Sequence, residues 1–572
     1  MELRYQLTCN PWADRGPVVL ADLLEVNSGL VEQVEITAGE IVVRFHDAAT
    51  QEQIAAALAE IIRSRENNLF VPNSLARVLT ALGRDVARTD ESGRRATDLT
   101  VPIRPDELPQ LKERKLNSVK AGENKIYRLT ASYPGMPADW RGIYSNADEV
   151  SEQVVEEMAG TPTNGAGSCA VSSTITKHLA PLTQSLQPFA NKHHNAAVRG
   201  FGGGNGYFKA SAAWRYALAL SATESYHPFF EVRDEGTTIL LPLVDDLSFL
   251  HRLHRHFQRT GVLNDIARFN HPTSSTNIRE LYKSDDYSGL VSLLHCIRNP
   301  LTTTDLSGDM LDETEMPRLT RWITCRFKRA TYVSFGTFHV IEVDHSLFDY
   351  VKPLPFQRKD KEASEYTAVT HVFSRMKWPD TGVAERFSHA LVKSSSPAMK
   401  TVLWEMYKDS NRFVFYNRQG EPATLVLFND FINHFMEVNH THMNTEIRDA
   451  AKDMGKLTGR AFPRDLTLLS RIYNIHNAEE LRDAIKTVLF RLEKLGVDQA
   501  RRSNVPRDER LWPIRNKPFE VLLEGIDDRN FREIADVFSI FASLNAFNAN
   551  VGGKSEVASD GSGDDSTSDD NP

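Results

Sequence analysis

The sequence predicts an α+β protein in three parts: an irregular, mixed α/β N-terminal portion over residues 1–364, a C-terminal helical bundle over 365–550, and a disordered acidic tail over 551–572. Three observations carry this. Strand-like alternation marks the opening residues, helical spacing of apolar residues dominates beyond about residue 365, and the last segment holds almost nothing that a core could bury. At 572 residues the chain also exceeds what one core of ordinary size accommodates.

In chain order, Glu2 to Thr8 reads as a strand, Val18 to Leu24 as a short helix, and Glu32 to Arg44 as a hairpin turning at Ala38-Gly39. Gln51 to Ile62 is helical by the spacing of Ile54, Ala57, Leu58, Ile61 and Ile62, with Thr50 as its cap. Arg84 to Gly122 is charged and turn-rich and reads as loops. In the C-terminal third, apolar faces recur at Leu425 to Met436, at Leu466 to Tyr473, and through Ile534, Val537, Phe538, Phe541 and Leu544. The clearest face is Leu481, Ile485, Val488, Leu492 and Leu495, with Asn477 as cap, Glu480 at the capping-box position and Gly496 as the stop. After Asn550 the text is Gly, Ser and Asp, too polar to offset the entropy of ordering.

Hydrophobic residues at 41% and charged residues at 25% are ordinary for a soluble globular chain. No apolar run approaches the roughly 20 residues a bilayer span needs, and the start lacks a secretory pattern, so a cytoplasmic protein with no membrane partner is expected. Cys9, Cys169, Cys296 and Cys325 are far apart and form no C-x-x-C pair, which predicts reduced thiols rather than disulfides or a zinc ribbon.

The net charge of -9 argues at first against a nucleic-acid partner, but the tail alone carries Glu556, Asp560, Asp564, Asp565, Asp569 and Asp570 against Lys554. Between Glu157 and Glu224 there is no Asp or Glu at all, where the chain's own acidic frequency would place about nine. That window holds Lys177, Lys192, Arg199, Lys209 and Arg215, the amides Asn164, Asn191, Asn195 and Asn205, and the glycine run from Arg199 to Lys209. A surface facing a polyanion needs this combination: no carboxylate to repel phosphate, cations to attract it, amides to read base edges, and glycines that let backbone N–H groups approach. The run lacks the G-K-[ST] ending of a P-loop and the G-x-G-x-x-G spacing, so it does not read as a nucleotide pocket. The same residues also suit a plain small-residue linker.

Two further basic stretches are candidates. Arg318 to Lys361 interleaves cations with Trp322, Phe327, Tyr332, Phe335 and Phe338, though its alternation equally suits strands with core aromatics. Arg501, Arg502, Arg507, Arg510, Arg515 and Lys517 read as a loop between bundle helices. Three histidine groups are candidate metal ligands: His251, His254 and His256; His434, His440 and His442 with Glu437 and Glu446; and His339, Glu342, Asp344 and His345. None has the spacing of a known metal motif, and no nucleophile context is present. The sequence therefore predicts no catalytic centre, no cofactor and no metal.

From residue 10 the chain reads Asn10-Pro11-Trp12-Ala13-Asp14-Arg15-Gly16, followed by a short apolar helix. This resembles the N-P-aromatic-x-D-x-G opening of the large subunits of type I CRISPR Cascade complexes of the I-A and I-B branch. The order of α/β portion, glycine- and asparagine-rich basic segment and helical bundle is similar up to about residue 550. Unlike many such proteins, this chain has no paired C-x-x-C motifs.

The resemblance implies a non-enzymatic subunit that checks a short protospacer-adjacent motif on duplex DNA, while guide RNA pairing reads the rest. It implies as partners CRISPR RNA, target double-stranded DNA, a repeated backbone subunit, a subunit capping the guide 5′ end, small subunits and a separate helicase-nuclease. The motif-reading surface maps to Asn164, Lys177, Lys192, Asn195, Arg199, Gly202, Gly203, Gly204, Asn205 and Lys209, with Phe201, Tyr207 or Phe208 as a wedge between base pairs. The bundle, with Arg501 and Arg502, would follow the displaced strand. Two alternatives stand beside this: a metal-dependent nuclease or hydrolase using His339, Asp344 and His345, and a pure protein–protein scaffold.

Overall fold

The computed structural model describes residues 1–26, 29–65, 70–72, 98–100, 147–160, 167–182, 209–223, 229–232, 236–259, 286–298, 311, 313–327, 335–351, 354–355, 366–367, 376–377, 381–412, 414–415, 423–501 and 517–559. The chain forms two compact units, Met1–Val343 and Asp344–Pro572. Among the described residues no helix is long and apolar enough to cross a membrane.

The first unit opens with β1 (Glu2–Gln6), α1 (Arg15–Glu25), β2 (Val31–Ile36) and β3 (Glu40–Phe45). The strands make an antiparallel sheet in the order β1-β3-β2, so the expected hairpin is the β2–β3 pair, and β1 adds to its other edge. Central β3 carries Ile41, Val43 and Phe45 into the core. Helix α2 (Gln51–Arg65) starts as its sequence requires: the Gln53 N–H donates to Thr50 Oγ1 (3.3 Å) while Gln53 Oε1 accepts from the Thr50 N–H (3.0 Å). Its face of Ile54, Leu58 and Ile62 is fully buried, and the helix packs on α3 (Ala147–Met158).

Short ladders follow: β4 (Phe70–Pro72) with β5 (Asp98–Thr100), β6 (Gly167–Ser168) with β7 (Ile175–Thr176), and β8 (Ala180–Pro181) with β9 (Lys209–Ala210). Then come α4 (Ala212–Thr223), the strands β10 (Phe229–Val232) and β11 (Gly236–Pro242), α5 (Leu247–Arg259), α6 (Asp286–Arg298), β12 (Arg321–Phe327) and β13 (Phe335–Glu342). Strands β10 to β13 form one antiparallel sheet in sequence order. The basic stretch thus starts at the end of a short 3-10 turn, Glu313–Arg318, and enters ordinary strand at Arg321. Trp322 is fully buried, its indole N–H donating to the Leu319 carbonyl (2.8 Å), and the Arg318 guanidinium covers the Phe249 ring while pairing with Asp246 (2.7 Å).

The second unit is largely helical: α7 (Ser346–Tyr350), α8 (Thr381–Val392), α9 (Ser396–Lys408), α10 (Ala423–Asn439), α11 (Thr445–Ala461), α12 (Leu466–Tyr473), α13 (Ala478–Arg501), α14 (Lys517–Gly525) and α15 (Phe531–Ser559). Short pairs β14 (Leu354–Pro355) with β15 (Tyr366–Thr367), and β16 (Met376–Lys377) with β17 (Val414–Phe415), accompany them. Apolar α15 is the axis, with Ile534, Val537, Phe538, Phe541 and Leu544 buried and α9 and α11 packed along it.

Two boundaries differ from expectation. Helix α13 runs through Gly496 to Arg501: Gly496 is buried inside the helix, and its propensity cost of about 1 kcal/mol is too small to stop a helix already docked by Leu481, Ile485, Val488 and Leu492. Arg501 is consequently helical rather than in a loop. Helix α15 continues to Ser559, into the segment expected to be tail, because extending an existing helix fixes one residue per hydrogen bond gained. The acidic residues from Asp560 onward lie outside the described residues, as do Arg84 to Gly122 apart from β5.

Candidate functional site

The opening motif turns inward. Asn10 Oδ1 accepts from the backbone N–H groups of Trp12 (3.1 Å) and Ala13 (3.3 Å), forming the turn that leads into α1. Asp14 Oδ1 accepts from the Thr8 N–H (2.8 Å) and hydroxyl (2.6 Å), tying the end of β1 to the helix start. Trp12 is fully buried, and its carbonyl accepts from the Ser221 hydroxyl on α4 (2.8 Å). Gly16 brings α1 against the α4 backbone, leaving no room for a side chain. The motif is therefore a docking device that holds α1 on α4, the helix directly after the acid-free window's glycine run.

Asp14 is buried, and its Oδ2 has no hydrogen-bond partner. Burial pushes its carboxyl up to about 6, against the lowering effect of the Thr8 hydrogen bonds. The folded chain then holds this proton more tightly than the unfolded chain does. The contribution is full below about pH 4 and is lost as pH rises through about 6, a change of about 3 kcal/mol. Asp14→Asn keeps the Oδ1 acceptor, so urea unfolding between pH 4 and 6.5 should show a stability slope for the native chain that the variant lacks.

The described parts of the acid-free window are bracketed by two carboxylates. Glu157, at the end of α3, accepts from the Thr176 hydroxyl (2.8 Å) and from the Ala212 (3.0 Å) and Ala213 (2.9 Å) N–H groups, so its charge caps the N-terminus of α4. Glu156 pairs with Lys177 (3.0 Å) and His178 (2.8 Å). Lys177, expected to face DNA, is thus half-exposed and already engaged by a carboxylate that lies just outside the window in sequence and beside it in space.

Lys209 is exposed in β9 and makes no ion pair with a described residue. The register Pro181↔Lys209 means that the chain leaves and re-enters this ladder at one place, with residues 183–208 between. Those residues, including Lys192, Asn195, Arg199, Phe201, Gly202, Gly203, Gly204, Asn205 and Tyr207, lie outside the described residues, as do Asn164 and Arg502.

The expectation that the chain is not an enzyme is overturned by two side-chain groups that could hold a metal ion. Ligand atoms of His440, His442 and Glu533 lie within 4.8 Å of one another, and those of Asp22, Glu25 and His251 do the same. Converging imidazoles and carboxylates are what metal-assisted hydrolysis requires, so the chain cannot be classed as non-catalytic. Histidines His251 and His440 with His442 were visible in the sequence. Their acidic partners were not, because Glu533 is 91 residues from His442 and Asp22 is 229 from His251.

The two groups differ. In the first unit Asp22 meets His251 Nε2 (2.6 Å), His254 Nε2 (3.3 Å) and the Arg255 guanidinium (3.0 Å), and Arg255 also reaches Glu25. Burial alone would push Asp22 up, but the His251 hydrogen bond and the neighbouring His254 hold its carboxyl below the ordinary range. An arginine already supplies the positive charge there, so this group reads as an ion-pair clasp between α1 and α5. His256, the third member of HRLHRHF, is buried with Nε2 on the Ile297 carbonyl (2.9 Å).

In the second unit His440 is 4% exposed, and burial pushes its imidazole down to about 4, keeping it neutral. Its neighbours His442 and Glu533 are open to solvent. His339, Asp344 and His345 are exposed and form no such group among the described residues.

No known family model matches the chain, and no curated protein is similar to it.

Proposed function

We propose that this chain is the DNA-reading large subunit of an RNA-guided, type I CRISPR surveillance complex working in the cytoplasm. The observation that carries the reading is the acid-free window from 158 to 223, with its lysines, arginines, asparagines and glycines. The inward-folded Asn10–Gly16 motif supports it by docking α1 on α4, the window's last helix, which follows the glycine run. Exposed Lys209 stands at the root of the glycine-rich stretch. On this reading the window checks the protospacer-adjacent motif and the helical unit follows the displaced strand. Guide RNA, backbone, capping and small subunits and a helicase-nuclease are the partners. The test is duplex DNA binding across a salt series by the chain with Lys192 and Lys209 replaced by alanine.

A second reading, a metal-dependent nuclease or hydrolase, draws the more direct support from described side chains. It rests on the group His440, His442 and Glu533 rather than on the 339–345 segment. Two imidazoles and a carboxylate with solvent on one side suit an ion that activates water.

A further inference from the structure

His440 lies in the short connection between α10 and α11, and this connection is fixed. The His440 N–H donates to the Met436 carbonyl (3.1 Å), the Met443 N–H donates to the His440 carbonyl (3.2 Å), and Asn444 caps α11 by accepting from the Glu446 N–H (2.8 Å). The His440 ring is enclosed, with Nε2 at 2.8 Å from the Ser396 hydroxyl in the first turn of α9. Its other nitrogen, Nδ1, is buried and has no hydrogen-bond partner. A buried polar atom left unpaired costs free energy, and in folded proteins such an atom is usually completed by an ordered water, a ligand or an ion.

Two residues on, His442 emerges into solvent, with its Nε2 3.0 Å from Oε1 of Glu533 in the first turn of α15. We propose that Nδ1 of His440, a ring nitrogen of His442 and the Glu533 carboxylate form a binding site for a late first-row divalent cation of the zinc class, with one position open to water.

The chemistry of the donors sets the ion. Two neutral imidazoles and one carboxylate suit zinc, cobalt or nickel, whereas magnesium and calcium take oxygen donors. Ser396 completes the arrangement from behind: accepting the Nε2–H fixes the tautomer in which Nδ1 is the bare nitrogen. Among the charged groups facing His440, Glu533 favours a cation and Arg448 opposes one. Lys400, on the adjoining α9, is held away by its own ion pair with Asp536 (2.6 Å).

This deepens the second reading above, but ion binding stands without turnover, so the two are separable. The experiment is titration of the metal-stripped full chain with cobalt(II) and zinc(II), read by visible absorption and calorimetric stoichiometry. One ion per chain is expected at this site. His442→Ala and Glu533→Gln, at an exposed and a partly exposed position where a folded chain tolerates substitution, should each weaken binding at least tenfold. Ser396→Ala should weaken it about tenfold to a hundredfold through the lost tautomer control.

Failure of the native chain to bind, or unchanged binding in both the His442 and Glu533 variants, overturns the site. Ion binding without cleavage of DNA or a phosphodiester substrate sustains the site and removes the hydrolase reading. Metal-dependent cleavage that survives both variants, with ion binding equally unchanged, removes the site and leaves that reading to other residues.

Discussion

Gly16→Ala is expected to destabilise the N-terminal unit by about 3 kcal/mol or more, read as a lower urea midpoint with an unchanged slope. A Cβ on Gly16 would sit 1.9 Å from the Ala217 carbonyl oxygen and 2.9 Å from the Ser221 hydroxyl oxygen. The nearer atom is backbone within α4, so no rotamer change relieves the contact, and α1 must move off α4 as a body. That movement also pulls Trp12 from its pocket and breaks the bond from Ser221 to the Trp12 carbonyl. The loss is a large share of the roughly 5–15 kcal/mol that holds a domain folded. A Gly16→Ala chain as stable as the native one would refute the docking role assigned to the motif.

In the second unit, Gly459→Ala should cost about 2 kcal/mol, and the double replacement with Gly455→Ala more. The two glycines lie one turn apart on α11 and face α15. A Cβ at 459 would meet the Ala542 carbonyl oxygen at 2.3 Å and the Ala546 nitrogen at 2.8 Å, and one at 455 would meet the Phe538 carbonyl oxygen at 2.6 Å. Alanine gains about 1 kcal/mol of helix propensity, and overpacking against a backbone that cannot yield costs up to about 3 kcal/mol, so the packing loss wins. An exposed helix glycine would show the opposite sign, which makes thermal unfolding of Gly459→Ala decisive about this contact.

Elements whose information is local were legible in the sequence. The hairpin at Ala38-Gly39, the Thr50 and Asn477 caps, and helix Leu466–Tyr473 follow from residues within a few positions of one another. Where the sequence misled, a residue type had two physical uses. Gly496 reads as a stop, yet it is an interior residue of a docked helix. Gly455 and Gly459 look like weak helix positions, yet they are the closest approach of two helices.

The acid-free window was legible as composition, but composition does not show that Glu156 folds back onto Lys177 and His178. The metal-binding group was half legible for a related reason. Histidines two residues apart are visible on the page, while the carboxylate that meets them arrives on another helix.

The DNA-facing part proposed for the acid-free window is the stretch ahead of α4, ending at exposed Lys209, since α4 itself is packed in the core. This placement is tested most directly by measuring duplex affinity of the native chain and the Lys192→Ala/Lys209→Ala variant between 50 and 200 mM salt, on the order of the range over which phosphate contacts are screened. The variant should stay folded and bind about tenfold more weakly at the lower salt. Its log–log salt slope should be shallower by about 2, reflecting two lost phosphate contacts. Equal affinity and an equal slope would contradict it.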